Sequence, residues 1–182
     1  MTLPICTYGN PVLRQQAAPV GTIDDAVRDL VRDMLDTMYD EQGLGLAAEQ
    51  VGRTERICVI DVPSENDTVG GERQNPDVEM PLTLIDPEIL SYGEETVVAQ
   101  EGCLSFPNVY ADVERRFEVT FAWTDLDGER KTAVARGLLA RAVQHELDHL
   151  DGILLVDRMS PVKKITLAGK LKRLVKQNKR NG

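Results

Sequence analysis

Histidine is nearly absent from this chain: His145 and His149 are the only two in 182 residues. A site built on three imidazoles is therefore excluded, and any histidine chemistry happens at one place. Long apolar runs are also missing. None approaches the roughly 20 residues of a membrane-spanning helix, so no membrane association is expected. The opening "MTLPICTYGNPVLRQQ" lacks a basic segment leading into an apolar one, so it does not read as a secretory signal and a cytoplasmic protein is expected. Cysteine is scarce. Cys6, Cys58 and Cys103 are an odd, widely spaced set, which argues against a disulfide framework and for reduced thiols. Acid is absent beyond Asp157. Residues 161–182 carry eight Lys/Arg and no Asp or Glu, while the remaining 13 cationic residues face 30 acidic ones, a tail of +8 on a body of −17. The body is unsuited to nucleic acid, but the tail could touch RNA or another polyanion.

What is present fits one catalytic domain over residues 1–182, long enough to bury a sizeable core. The spacing of Val27, Leu30, Val31, Met34, Leu35 and Met38 predicts a helix over 24–41, capped by Asp24 and stopped near Gly43. "GLGLAAEQVG" (43–52) is too glycine-rich to start a helix, and "RICVIDV" (56–62) reads as a strand. Residues 64–81 are polar and rich in turn formers, and predict an exposed insertion between strands. "LTLIDPEIL", "ETVVAQE" and "FEVTFAWTDLDG" alternate like antiparallel strands, with "DLDG" as a hairpin turn. A helix is expected over 132–150 with Gly152 past its end, and a last helix from Ser160-Pro161 to about residue 177.

The second helix carries "QHELDH". At about 100° per residue His149 falls about 40° from His145 and Glu146 about 100°, so all three share one sector. Two imidazoles can then share an ion with a carboxylate beside it, which is the mechanical content of H-E-x-x-H. Asp148 points away and reads as a cap or a partner of ligands. The apolar flank "GLLARAV" suits a buried helix, where two imidazoles and a carboxylate would be costly without an ion. A catalytic site of this kind uses three protein ligands and one open position. H-E-x-x-H peptidases take the third from downstream, yet after His149 there is no Glu, His or Cys, only Asp151 and Asp157. The ligand must come from upstream. Cys103 in "QEGCLSFP" is the best source, because a thiolate suits a soft or borderline metal and Gly102 permits close approach. Cys6 and Cys58 read as ordinary buried thiols.

Three segments in order, "GLGLAAEQ" (43–50), "EGCLS" (101–105) and "QHELDH" (144–149), closely resemble the three motifs of the peptide deformylases. The likeness runs over roughly residues 3–160 and includes "YGNPVLRQQAAPV", "LIDPEIL" and "VERRFEVTFAWTDLDG". Departures are Asp86 where Asn is common, the residues Phe106, Asn108 and Tyr110, and the long 64–81 insertion; these bear on peptide preference. The resemblance implies an α+β fold with antiparallel sheets packed around a central metal-binding helix, flanked by N-terminal and C-terminal helices. It implies removal of the formyl group from N-formyl-Met nascent peptides by a metal held by Cys103, His145 and His149. That metal is Fe2+ by family habit, with Zn2+, Ni2+ or Co2+ able to substitute. Glu146 would act as base, and Gln50 with the Leu104 backbone N–H would stabilise the oxyanion. Gly45 would contact the substrate backbone, and Leu44, Leu138 and Ala142 would line its methionine pocket. Glu101, at the substrate site, would pair with Arg115, and the Arg141 head would reach solvent. A monomer is implied, and a basic C-terminal helix that in some relatives docks on the ribosome. The rival readings are an H-E-x-x-H metallopeptidase and a non-catalytic metal module; the second has no need of Glu146.

Overall fold

The structure, a computed structural model, describes residues 1–181; Gly182 and the side chains of Arg180 and Asn181, part of the basic tail, lie outside the described residues. Helix α1 (Asp25–Asp40) begins as its sequence predicts. Asp24 Oδ1 accepts from the Val27 N–H at 3.0 Å, and Leu30, Val31, Met34 and Met38 form the buried stripe. The Gly43 N–H closes the end by donating to the Met38 carbonyl. The glycine-rich segment then becomes strand β1 (Gly45–Ala47) and a 3-10 turn, Ala48–Val51. Strands β2 (Ile57–Ile60), β3 (Thr68–Val69), β4 (Glu72–Arg73), β5 (Leu82–Tyr92), β6 (Thr96–Cys103), β7 (Phe106–Arg116), β8 (Glu118–Thr124) and β9 (Arg130–Arg136) follow. Helices α2 (Gly137–Leu150), α3 (Leu155–Arg158) and α4 (Pro161–Asn181) complete the chain.

Five strands form an antiparallel sheet in the order β1-β2-β5-β8-β9, with β3-β4 and β6-β7 as separate hairpins. Helix α2 lays Leu139, Ala140, Val143, Leu147 and Leu150 into the core formed with Phe121, Trp123 and Leu84 of the large sheet. The hairpin β6-β7 packs its own apolar face, Phe106, Val109, Ala111 and Val113, against α3 and α4. The α+β architecture expected from the resemblance is present, with α2 between sheet and hairpin. Among the described residues, no helix is long and apolar enough to cross a membrane.

Three expectations need correction. The helix placed over 132–150 begins only at Gly137, because residues 130–136 pair with β8 from Thr124↔Arg130 to Glu118↔Arg136. Ala133 and Ala135 alternate toward the core, and Gly137, at φ +59°, turns the chain from strand to helix. Strand β7 was not foreseen; its inward row ends in Arg115, a charge at a core position that hides the period-two pattern. The 64–81 insertion is docked rather than simply exposed. Asp67 and Asn75 are buried, and Val78 and Met80 pack on the main core. Asp86 adopts φ +48°, a region Asn and Asp tolerate best, and its Oδ1 accepts from the Val20 N–H at 2.9 Å.

Candidate metal and substrate site

Helix α2 and hairpin β6-β7 bring the three proposed ligands together. The ligand atoms of Cys103, His145 and His149 all lie within 4.8 Å of one another, and Cys103 Sγ is 3.3 Å from His149 Nε2. His145 Nδ1 donates to Glu101 Oε1 at 2.9 Å, which fixes the ring and leaves Nε2 for a metal. One sulfur and two imidazoles form a soft-to-borderline donor set that suits Fe2+, Zn2+, Co2+ or Ni2+, and three donors leave a coordination position open. The residues therefore fit a catalytic metal. Burial pushes both imidazoles toward the neutral form. At His149 it prevails and lowers the pKa, while at His145 the hydrogen bonds with Cys103 and Glu101 outweigh it and raise the pKa.

A carboxylate and an amide complete the cluster. Glu146 is 4% exposed, and its Oε2 finds no hydrogen-bond partner among the described residues. Burial pushes its pKa up to about 7. Gly45 makes room for it, since a Cβ there would lie 2.8 Å from Glu146 Cδ and collide with Oε1. The glycine thus has a steric reason beyond the substrate contact read from sequence. Gln50 is oriented by the Ala47 N–H, which donates to its Oε1 at 2.9 Å, so its Nε2 points to Ser105 Oγ at 3.2 Å and Cys103 Sγ at 3.5 Å. An open cavity of about 580 Å³ reaches this cluster, and Leu44, Gly45, Leu104, Leu138, Ala142 and Glu101 are among its walls.

Behind the ligands lies an ion network. Arg115 forks onto Glu101 at 2.9 and 3.0 Å, as expected, and reaches Asp148 Oδ2 at 2.6 Å. Asp148 also takes Arg158, so it supports the site from behind and is no ligand, as its helical angle predicts. Burial would raise the Glu101 pKa, but His145 and Arg115 hold it well below the usual carboxylate range. Arg141 overturns its expectation. Its head is buried, 2.6 Å from Glu101 Oε2, and donates to the carbonyls of Val113 and Val97. These acceptors, on the two strands β6 and β7, are invisible to helical spacing. Both oxygens of Glu101 are thus engaged, by His145, Arg115 and Arg141. Arg115→Ala is expected to leave Glu101 to Arg141 and His145 and Asp148 to Arg158 alone, and to cost about 3 kcal/mol of stability, read by urea unfolding, with faster metal loss to a chelator. Unchanged unfolding and metal retention would show the network to be incidental.

Sequence reasoning missed Glu49. It is 0% exposed, neither carboxylate oxygen finds a partner among the described residues, and burial pushes its pKa up to about 8. Its place in a short motif next to Gln50 gave no sign of burial.

Ligand cluster, buried carboxylate and cavity meet on one side of α2, the layout of a metal-dependent hydrolase with a helix-borne histidine pair. Comparison with known proteins narrows that class. The family model described as polypeptide deformylase matches residues 2–165. A peptide deformylase of Alkalilimnicola ehrlichii is 48% identical over 179 residues, covering 98% of this chain and 94% of the relative. A peptide deformylase of Synechococcus elongatus, solved in complex with actinonin, is 42% identical with TM-score 0.81, over 92% of this chain and 87% of that one. An Arabidopsis thaliana peptide deformylase is 34% identical with TM-score 0.86, over 98% and 93%. The chain belongs to the polypeptide deformylase family, metal-dependent hydrolases of protein synthesis that deformylate N-formylmethionine peptides. The metallopeptidase alternative is not favoured.

Proposed function

We propose that residues 1–182 act as one catalytic domain and a monomer in the cytoplasm, with Cys103, His145 and His149 holding Fe2+ in the cell. The observation that carries this is the convergence of those three ligand atoms beside the buried Glu146. When bound, a divalent ion there supplies acidification of water and polarisation of the formyl carbonyl. Zn2+, Ni2+ or Co2+ would satisfy the same donors, and Fe2+ beside a thiolate would make activity oxygen-sensitive.

Glu146 takes the proton from the attacking water and passes it to the leaving amine, a task served by a pKa near neutrality. Gln50 Nε2, held by the Ala47 anchor, and the Leu104 backbone N–H donate to the oxyanion as it develops. Leu44, Leu138 and Ala142 enclose the methionine side chain, and Gly45 offers backbone to an extended peptide. Glu101 serves from the cavity wall by fixing His145. The test is formate release from formyl-Met-Ala-Ser under anaerobic conditions, run beside casein. Formate without casein cleavage is expected; casein cleavage alone would favour a peptidase.

The basic helix α4 is proposed to bring the enzyme to the RNA-rich ribosome surface. Its Leu167, Leu171 and Leu174 dock on the body, which leaves the exposed Lys164, Lys172, Arg173, Lys176 and Lys179 for a polyanion. Trimming residues 161–182 is expected to weaken ribosome binding in a salt-dependent way and to leave short-peptide activity largely intact. Equal ribosome sedimentation of the two forms would sink the idea.

A further inference from the structure

The 64–81 insertion ends against the start of the helix that carries the histidines. Its hairpin β3-β4 turns through Gly70 and Gly71, both at positive φ, and brings Asp67 within hydrogen-bond reach of Asn75. Asp67 accepts from the Asn75 backbone N–H at 3.0 Å and from its Nδ2 at 2.5 Å. The Asn75 amide is thereby fixed, and it faces one residue of the main sheet. Its Oδ1 accepts from the Arg136 N–H at 2.8 Å, and its Nδ2 donates to the Arg136 carbonyl at 3.0 Å.

Arg136 is a junction. It is the last residue of β9, the outermost strand of the five-stranded sheet, and the N-cap of α2. Its own side chain makes no capping bond. Its backbone is the outward-facing pair at a sheet edge, and the Asn75 amide satisfies both groups as a neighbouring strand would. Asn75 is 4% exposed, so water cannot readily replace it. The next residues are Gly137, flanked by Gln74 and Val69 of the insertion within 3.6 Å of its Cβ direction, and Leu138, which lines the cavity. Val78 and Met80 of the insertion share the apolar cluster of Leu138 and Ala142.

We infer that Asn75 is a positioning residue that fixes the start of α2 and so sets how well the cavity distinguishes the first side chain of the substrate. The inference rests on the proposed reading that this cavity takes the formylmethionine side chain. A side-chain pocket is sensitive to sub-ångström placement of its walls, and Leu138 is two residues from the bonded junction. The histidines lie more than two turns further along α2, held by their own network, so metal binding is separable from this strut.

The test compares the full-length wild type with Asn75→Ala and Asp67→Asn, using formyl-Met-Ala-Ser and formyl-Ala-Ala-Ser. For Asn75→Ala, KM for the methionine peptide is expected to rise about tenfold with kcat within about twofold, and the Met-over-Ala preference in kcat/KM to shrink by a similar factor. Metal per chain should match wild type. Asp67→Asn keeps the shape and loosens the anchor, so a shift of about threefold in the same ratio is expected; it decides the matter if Asn75→Ala does not fold. A lower Tm with an unchanged Met-over-Ala ratio in a folded variant would make Asn75 merely structural and overturn the inference. A wild type that releases no formate overturns the functional reading, and the inference with it.

Discussion

Glu146→Gln is expected to lower formate release about 10³-fold while the metal content of the chain stays at the wild-type level. The substitution keeps the volume of a side chain that fills a tight place against Gly45 and removes only its ability to take a proton. Burial holds the Glu146 pKa at about 7, where a group can accept and return a proton near neutral pH. The ligands Cys103, His145 and His149 are untouched, so a metal-loaded but nearly inactive protein is the specific signature. Equal loss of metal and activity would mean that Glu146 works by holding the site together. Full activity would assign the proton transfer elsewhere.

Glu49→Gln is expected to change how stability depends on pH. The folded pKa of Glu49, about 8, lies above the usual carboxyl value of 4.5, so the folded chain binds the extra proton. Stability is then lost as pH rises from the unfolded pKa toward the folded one, with a slope of up to about 1.4 kcal/mol per pH unit. Arg56 favours the charged form, whereas Glu146 and Asp151 oppose it, but burial dominates. Glutamine carries no titrating proton. The variant should therefore match the wild type near pH 5 and exceed it by several kcal/mol near pH 8. Urea unfolding of both proteins in the same metal state, from pH 5 to 8, reads the difference. Parallel profiles would show that Glu49 is solvated or paired.

Such a carboxyl marks where sequence stops being informative. His145, Glu146 and His149 were legible because a helix turns spacing directly into shared direction, and Cys103 because nothing downstream could serve as third ligand. Helix α1 was legible for the same reason as the histidines, with Asp24 adding a local cap. The start of α2 was not, since residues 130–136 take their structure from pairing with β8, a partner distant in space from any helical pattern. Arg141 was misplaced because its aliphatic neighbours said pocket, while its guanidinium found Glu101 and two carbonyls on β6 and β7. The insertion read as exposed from composition alone. Asp67 and Asn75 are polar, yet each satisfies the other and Asn75 also pairs with the Arg136 backbone, and so both are buried at little cost.

The most direct measurement is formate release from formyl-Met-Ala-Ser by anaerobically purified protein, with metal analysis on the same sample and on Cys103→Ala. About one divalent metal per wild-type chain, formate release proportional to that metal, and loss of both in Cys103→Ala are the expected results. Formate release that persists in Cys103→Ala, or that does not track bound metal, would contradict the Cys103, His145 and His149 site.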